Sequence, residues 1–529
     1  MADTVSKDDS VEITATPKQQ LSMESKKGQS GPHVAHSRIV LIPHPSDDPR
    51  DPLNWTLFRK GRVLAALCLA CFCGFTSALA SQLEIGPLST LYHQAPTAIA
   101  YQNSSANAGM VIGGIFFYVL SFIFGRPSIF FWSLLGLMGS DLWSSYMTKA
   151  GQFDIFIVSR GFAGFFGTAV GVLGPRMLID MFFLHQRGRA FTIFHFFFDF
   201  GTAAGPSLCS FVVQGAGNVQ WAFWFIAIVT GFAALLIFLF VEDTTWDRTP
   251  GAINKPLPEG FMANRIATFL PGTRIVRRKS VGELVRIASV PFKIAATPVS
   301  LMLGIFTLFS FGFSVAMNSL TPVWLQKPVK AGGYGFTPIQ NALFQFSHWT
   351  GVVLAFVYGQ ALADRLPLWL ASRFNNGTWK PEYRLHALWF PALVCNCIGI
   401  GLFGYALQYH TSWGVLAFGS ILVIYASMCI TPITVNYLSE CFTNNVEEAA
   451  IVLNTFRIAF GLSVAFYITP WVDAMGVGWT YGLMAFIMIF SWLFVLALMW
   501  KGHQIRQIDP FGLISTEEGK HVLIDEESA

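Results

Sequence analysis

Residues 160–206 read RGFAGFFGTAVGVLGPRMLIDMFFLHQRGRAFTIFHFFFDFGTAAGP. Two long apolar stretches flank a short charged turn, His185-Gln186-Arg187-Gly188-Arg189, with Asp180 just before it. Arg160 lies inside the first stretch, and His195 and Asp199 lie inside the second. Ionised groups in hydrocarbon cost several kcal/mol each, so charges in such company are paired or in use. Gly201 and Gly205 are four apart and Pro206 follows, a pattern that lets two helices approach closely and bends one of them. The stretch therefore reads as two membrane helices joined by a charged turn, with charges kept in the membrane for a purpose.

Composition extends that reading to the whole chain. The 529 residues are 53% hydrophobic and 12% charged, with a mean hydropathy of +0.51. An average soluble protein has about 25% charged residues, so lipid must cover much of this surface. The net charge is only +4, and no basic patch is interleaved with aromatics in a polar segment, which argues against nucleic-acid binding. Seven of the eight cysteines lie in apolar segments and Cys441 at the edge of one, as expected of small buried hydrophobes rather than metal ligands or disulfides. The polar N-terminus lacks an apolar signal region, so the first membrane helix is expected to target the chain. No nucleotide-binding loop, metal spacing or nucleophile constellation is present, which predicts no enzyme and no cofactor. The energy for any transport must then come from a gradient, protons being the first expectation.

Apolar runs of helix length follow one another along the chain. Six fall near 62–82, 107–124, 128–147, 154–176, 190–213 and 220–241, and six near 296–318, 341–362, 386–407, 413–437, 449–471 and 478–500. The expected fold is an all-α membrane protein of 12 transmembrane helices in two six-helix bundles, 61–241 and 296–500. A disordered tail (1–60) that ends in an ordered-looking stretch, Pro45–Trp55, a basic linker (242–295) with nine of the 34 Lys and Arg, and a C-terminal tail (501–529) complete the plan. Positive charge concentrates in the tails, the linker and the 363–385 loop, whereas the opposite loops hold only Lys149, Lys327 and Lys330, so both termini are predicted to be cytoplasmic. The 83–106 loop then faces outward, and its Asn103-Ser-Ser is a candidate N-glycosylation site.

Polar residues inside the apolar runs are the candidate site. Arg160, His195 and Asp199 supply them in the first half, and Asn318, Gln345, His348, Asn436, Asn454 and Arg457 in the second. Arg160 would snorkel to the outer interface or face a cavity. His195 and Asp199, four apart, share a helix face and read either as a proton-relaying pair or as a structural one. Arg457 would reach headgroups or line a cavity, and Asn436 and Asn454 would hydrogen-bond between helices. At the predicted cytoplasmic ends, Arg126, Asp180, Arg187 and Arg189 in the first half correspond to Asp364, Arg365 and Glu440 in the second. These charges would form gates that break on switching, or would simply mark the inner face.

Several motifs together resemble the major facilitator superfamily and, within it, the fungal drug:proton antiporter-like branch. They are Asp51-Pro-Leu-Asn-Trp55, Gly125-Arg126-Pro127, Arg160-Gly161 with Gly164, Asp180 through Arg187-Gly188-Arg189, Gly201 with Gly205 and Pro206, residues 241–248, and Leu362-Ala-Asp-Arg365. Three departures stand out: the loop at Gly125 lacks the usual acidic residue, Gln360 stands where the family prefers glycine, and Cys209-Ser210 replaces a second glycine pair. The resemblance implies the major facilitator fold and a monomer in the plasma membrane. It further implies a proton-coupled antiporter that exports a small organic molecule, a secondary metabolite or toxicant, by alternating access. Proton-coupled uptake of an organic anion or nutrient is the alternative, and a non-transporting receptor or scaffold the reading from another class. Arg160 matches the branch's arginine motif, which favours a cavity role for it.

Overall fold

The computed structural model describes residues 45–46, 48–246, 258, 260–270, 280–363, 365–374 and 379–514. Expectations for residues 1–44, for Asp364 and for the last fifteen residues of the C-terminal tail fall outside that set. The first half holds α1 (Leu57–Ala78), α2 (Tyr101–Phe124), α3 (Arg126–Ser145), α4 (Phe153–Met181), α5 (Leu184–Ala216) and α6 (Gln220–Phe240). The second holds α7 (Pro298–Gln326), α8 (Phe346–Tyr358), α9 (Asn396–Gln408), α10 (Trp413–Cys441), α11 (Val446–Met475) and α12 (Val477–Arg506). Each of the twelve sequence-expected spans coincides with one of them, and the described residues contain no strand.

Nine helical segments among the described residues are long and apolar enough to cross a membrane alone, ten if the bent α11 counts as one. The two expected spans that fail this measure do so for physical reasons. α3 carries Ser133, Ser140, Asp141, Ser144 and Ser145, all buried, which lower its hydropathy. α8 is one piece of a broken span, preceded by the short helix Pro338–Phe344 and followed by a π-helical turn, Gly359–Ala363.

Glycines set the helix spacing in the first half. A Cβ on Gly109 would sit 1.9 Å from the Gly161 carbonyl oxygen, and one on Gly164 1.9 Å from that of Ala106, so α2 and α4 touch backbone to backbone. Gly201 and Gly205 press α5 onto α1, where added Cβ atoms would lie 2.9 Å from the Phe72 carbonyl oxygen and 2.5 Å from Thr76 Oγ1. Between helices in a membrane, where lipid is as apolar as leucine, such contact replaces the hydrophobic effect as the source of association.

Three segments differ from expectation. Order runs past the ordered-looking stretch Pro45–Trp55 to the end of the expected tail, where Leu57 begins α1: Asp51 is buried, caps the turn Pro52–Asn54 by accepting from Leu53 N, and also accepts from Ser46. Arg59 pairs with Glu242 at 2.5 Å and Trp246 donates to Ser46, which ties this segment to the chain leaving α6. The linker contains two helices, Phe261–Phe269 and Val281–Ala295, and Arg265 of the first caps α6 by donating to the Leu239 and Val241 carbonyls. In the loop expected at 83–106, Leu83, Glu84 and Ile85 are buried almost completely. All eight cysteines are free and buried.

Candidate functional site

Where α11 meets α1, α2, α4 and α5, a small cavity lies between the halves. Phe75, Met110, Val172, Phe198 and Ile458 make it apolar, and Thr168, Asn454 and Arg457 supply the polar edge. A second small cavity, among α7, α10 and α11, shares Asn454 and Arg457 with the first. Arg457 therefore stands at the junction of the two. It lies three turns into α11 and is 5% exposed, so it does not reach the headgroups. Its guanidinium carbon lies over the rings of Phe198 of α5 and Phe311 of α7, 4.9 and 4.7 Å from their centroids. Its Nη1 donates to Thr431 Oγ1 at 3.3 Å, and its Nε has no protein partner. A planar cation desolvated against two rings is worth about 2 kcal/mol of attraction or more to them, and it leaves one guanidinium edge for something else.

Asp199, the neighbour of Phe198 in α5, is buried and interacts electrostatically with Arg457 from the opposite half. No ion pair within 4 Å joins them among the described residues. His195 does not bond Asp199 either; its ring packs among Phe191, Phe194 and Phe198.

Arg160 is elsewhere. It is 1% exposed inside the first half, away from both cavities. Its Nη1 lies 3.4 Å from Asp141 Oδ1 and 3.3 Å from Ser144 Oγ, Nη2 donates to the Ser77 carbonyl, and Phe223 covers the guanidinium at 5.1 Å. Ser77 Oγ donates to the same Asp141 oxygen at 2.6 Å. The charge is thus neutralised by a carboxylate on α3 and does not snorkel. Asp141 went unmarked in the sequence, although an aspartate in an apolar run was signal enough.

The remaining polar candidates scatter. Asn318 accepts from Gln82 at the end of the molecule expected to face outward. Gln345 and His348 are buried around the start of α8, and Gln345 Nε2 and both His348 ring nitrogens have no protein partner. Asn436 is exposed on α10 and makes no interhelical hydrogen bond among the described residues. Asn103, the glycosylation candidate, is 3% exposed within α2, with neither side-chain atom partnered, so its amide lacks the exposure that a glycan requires.

At the opposite end, called inner because charge predicts it to be cytoplasmic, the gate candidates divide. Arg126 donates to Asp180 at 2.6 Å and lies 3.5 Å from Glu447 at the start of α11. Arg176 joins the same two carboxylates, at 3.6 and 4.0 Å, and Tyr118 Oη donates to Glu448 at 2.5 Å. This network crosses from α2, α3 and α4 to α11. Arg187 donates to the Ile179 carbonyl, which stays within the first half. Arg189 and Arg365 are exposed. Glu440 binds Arg384 at 2.5 Å and Trp379 at 3.1 Å, so its partners lie in the chain before α9 and not at Arg365. Arg176, Glu447 and Glu448 were missed, although Arg176 sits four residues before Asp180 and the glutamates open an apolar helix.

The fold has counterparts in known proteins. The family model described as Major Facilitator Superfamily matches residues 37–378. An uncharacterized MFS-type transporter of Schizosaccharomyces pombe is 26% identical over 509 residues, covering 85% of this chain and 86% of that protein. Efflux pump radE of Floropilus chiversii is 24% identical over 473 residues, covering 87% and 83%. Among solved structures, the proton:xylose symporter XylE superposes with a TM-score of 0.57 at 15% identity, over 84% of this chain and 96% of that one. The human organic anion transporter MFSD10 gives 0.54 at 15%, over 82% and 99%. With a family model matched across more than half its length, the chain belongs to the major facilitator superfamily, a family of membrane transporters and not of enzymes.

Proposed function

We propose that this transporter exports a small, largely apolar organic molecule in exchange for protons, by alternating access around the cavity between its halves. The observation that carries the reading is Arg457, which lines the cavity, lies over the Phe198 and Phe311 rings and interacts electrostatically with Asp199 of the opposite half. In an apolar setting two opposite charges without direct contact leave Asp199 a choice of partner: the Arg457 field or a proton. A substrate whose own hydrogen-bond donor engages ionised Asp199 takes the place that a proton would take, and a proton on Asp199 expels it. Substrate and proton then compete at one carboxylate, which is the minimum that exchange needs. The aromatic walls suit a flat apolar body. The Floropilus relative is called an efflux pump, which supports export.

Uptake of an organic anion is the second reading. It is favoured by the unpartnered Arg457 Nε, a donor placed to meet a carboxylate. Purified full-length protein in vesicles with an imposed pH gradient separates the two, using one neutral and one carboxylated fluorescent aromatic probe. Accumulation driven by an acidic interior supports exchange. Accumulation driven by an acidic exterior overturns it in favour of symport.

A further inference from the structure

The chain leaving α1 does not emerge into the outer loop that its sequence suggests. Residues 80–84 form non-helical turns that are buried almost completely, so their backbone groups must find partners within the protein. The Gln326 side chain of α7 does much of this: its Nε2 donates to the Leu83 carbonyl at 2.7 Å, and its Oε1 accepts from Gly86 N at 3.2 Å. Gln82 Nε2 reaches the Asn318 carbonyl at 2.9 Å, and Ser81 bonds Gln102 of α2 at 2.5 Å. These bonds join the first half to α7 and shut the outer end.

At the centre of the buried turn is Glu84, 0% exposed. Its Oε1 accepts from Ser210 Oγ of α5 at 2.5 Å, and its Oε2 has no protein partner. The titratable group that faces it from α5 is the Cys209 thiol, and behind that stand Arg160 and Asp141, already paired with each other. α2 and α7 contribute Gln102, Asn318 and Gln326, none of them charged, and Lys327 at the end of α7 lies over the Trp324 ring. Among the described residues, no cation therefore compensates an ionised Glu84. A carboxylate in that position is expensive, and a carboxylic acid is not.

We propose that Glu84 is a proton-binding site built into the outer closure: neutral, it stays packed against α5 and the outer end is shut; ionised, it draws water in and the outer end opens. Burial pushes its carboxyl from the ordinary 4.5 up to about 7 in the closed form, and opening to water restores the ordinary value. The closed form thus holds the proton more tightly. Closure is fully favoured below the ordinary value and loses its advantage as outer pH rises toward 7, beyond which the balance levels off. The inference stands for either direction of transport, because it concerns the outer end alone.

The test uses the full-length protein in membranes with a reporter cysteine at Asn107, a buried position of α2 that faces Gly461 of α11 beneath the closure. A membrane-impermeant thiol reagent is added from outside between about pH 5 and pH 8, with rates divided by those of the same reporter in Glu84→Gln. The ratio is expected to climb by at most about tenfold per pH unit and then level off. A ratio that stays constant overturns the proposal. Ser210→Ala removes the bond that favours the ionised form, so the levelling must move to higher pH; an unmoved profile also overturns it. That second variant carries the test should Glu84→Gln fail to reach the membrane.

Discussion

Arg126, the first residue of α3, lies 3.5 Å from Glu447 at the start of α11, so an ion pair fastens the inner closure between opposite halves of the molecule. The pair is one strand of a network that also holds Arg176, Asp180, Tyr118 and Glu448. Such pairs are made or broken, with little in between, which is what a gate requires.

Glu447→Gln loosens that closure without disturbing either half. Loss of a partly buried pair is worth roughly 1 kcal/mol, or about fivefold in population. Labelling of a cysteine at Asn454 from the inner side of inside-out vesicles is expected to rise by that factor. An unchanged rate would mean that the closure is held by other contacts.

Asp141→Asn strands the Arg160 charge and is expected to cost about 3–5 kcal/mol of stability, read as a drop in melting temperature in detergent. Arg160→Met with Asp141→Leu removes both charges and is expected to recover most of the loss. Transport per folded molecule then stays near the starting level, because Arg160 faces neither cavity. Loss of transport in a well-folded double variant would give Arg160 a role beyond holding α3, α4 and α1 together.

Arg457→Lys keeps the charge but gives up the planar contact with Phe198 and Phe311. Phe198→Leu and Phe311→Leu each remove one ring. Each of the three is expected to raise the apparent KM for the transported probe by about tenfold, in line with about 1–2 kcal/mol of lost cation–π attraction and preorganisation. A change in expression alone, with KM untouched, would show that the cluster serves folding.

Asp199→Asn removes the group assigned to proton exchange while keeping its shape. Accumulation driven by a pH gradient is expected to vanish, whereas exchange of labelled for unlabelled substrate at equal pH persists. Gradient-driven accumulation that continues in the variant would move the coupling elsewhere.

Asn103 predicts a negative result that is quick to obtain. A glycosidase is expected to leave the electrophoretic mobility of the protein unchanged, and Asn103→Gln is expected to migrate with the wild type, because the amide is buried in α2. A glycosidase-sensitive band that disappears in Asn103→Gln would show that residues 101–104 unfold from the helix in the cell.

The class of the molecule is legible in the order of its residues. Hydrocarbon admits few charges and demands helices of a set length, so twelve apolar runs and a basic linker leave one architecture. For the same reason Arg160, Asp199 and Arg457 are conspicuous within their apolar runs. Their roles are not legible there, since a charge in a helix does not announce its partner. Only packing puts Asp141 beside Arg160 and so turns an expected cavity charge into a strut. Only packing brings Phe198 and Phe311, from helices over a hundred residues apart, against the Arg457 guanidinium. The inner network and the buried turn at Glu84 likewise depend on contacts between helices far apart in the chain, several of them across the two halves. Local pattern fixes which segments leave water. What each polar group then meets is decided by which helix faces which, and that is a property of the assembled bundles alone.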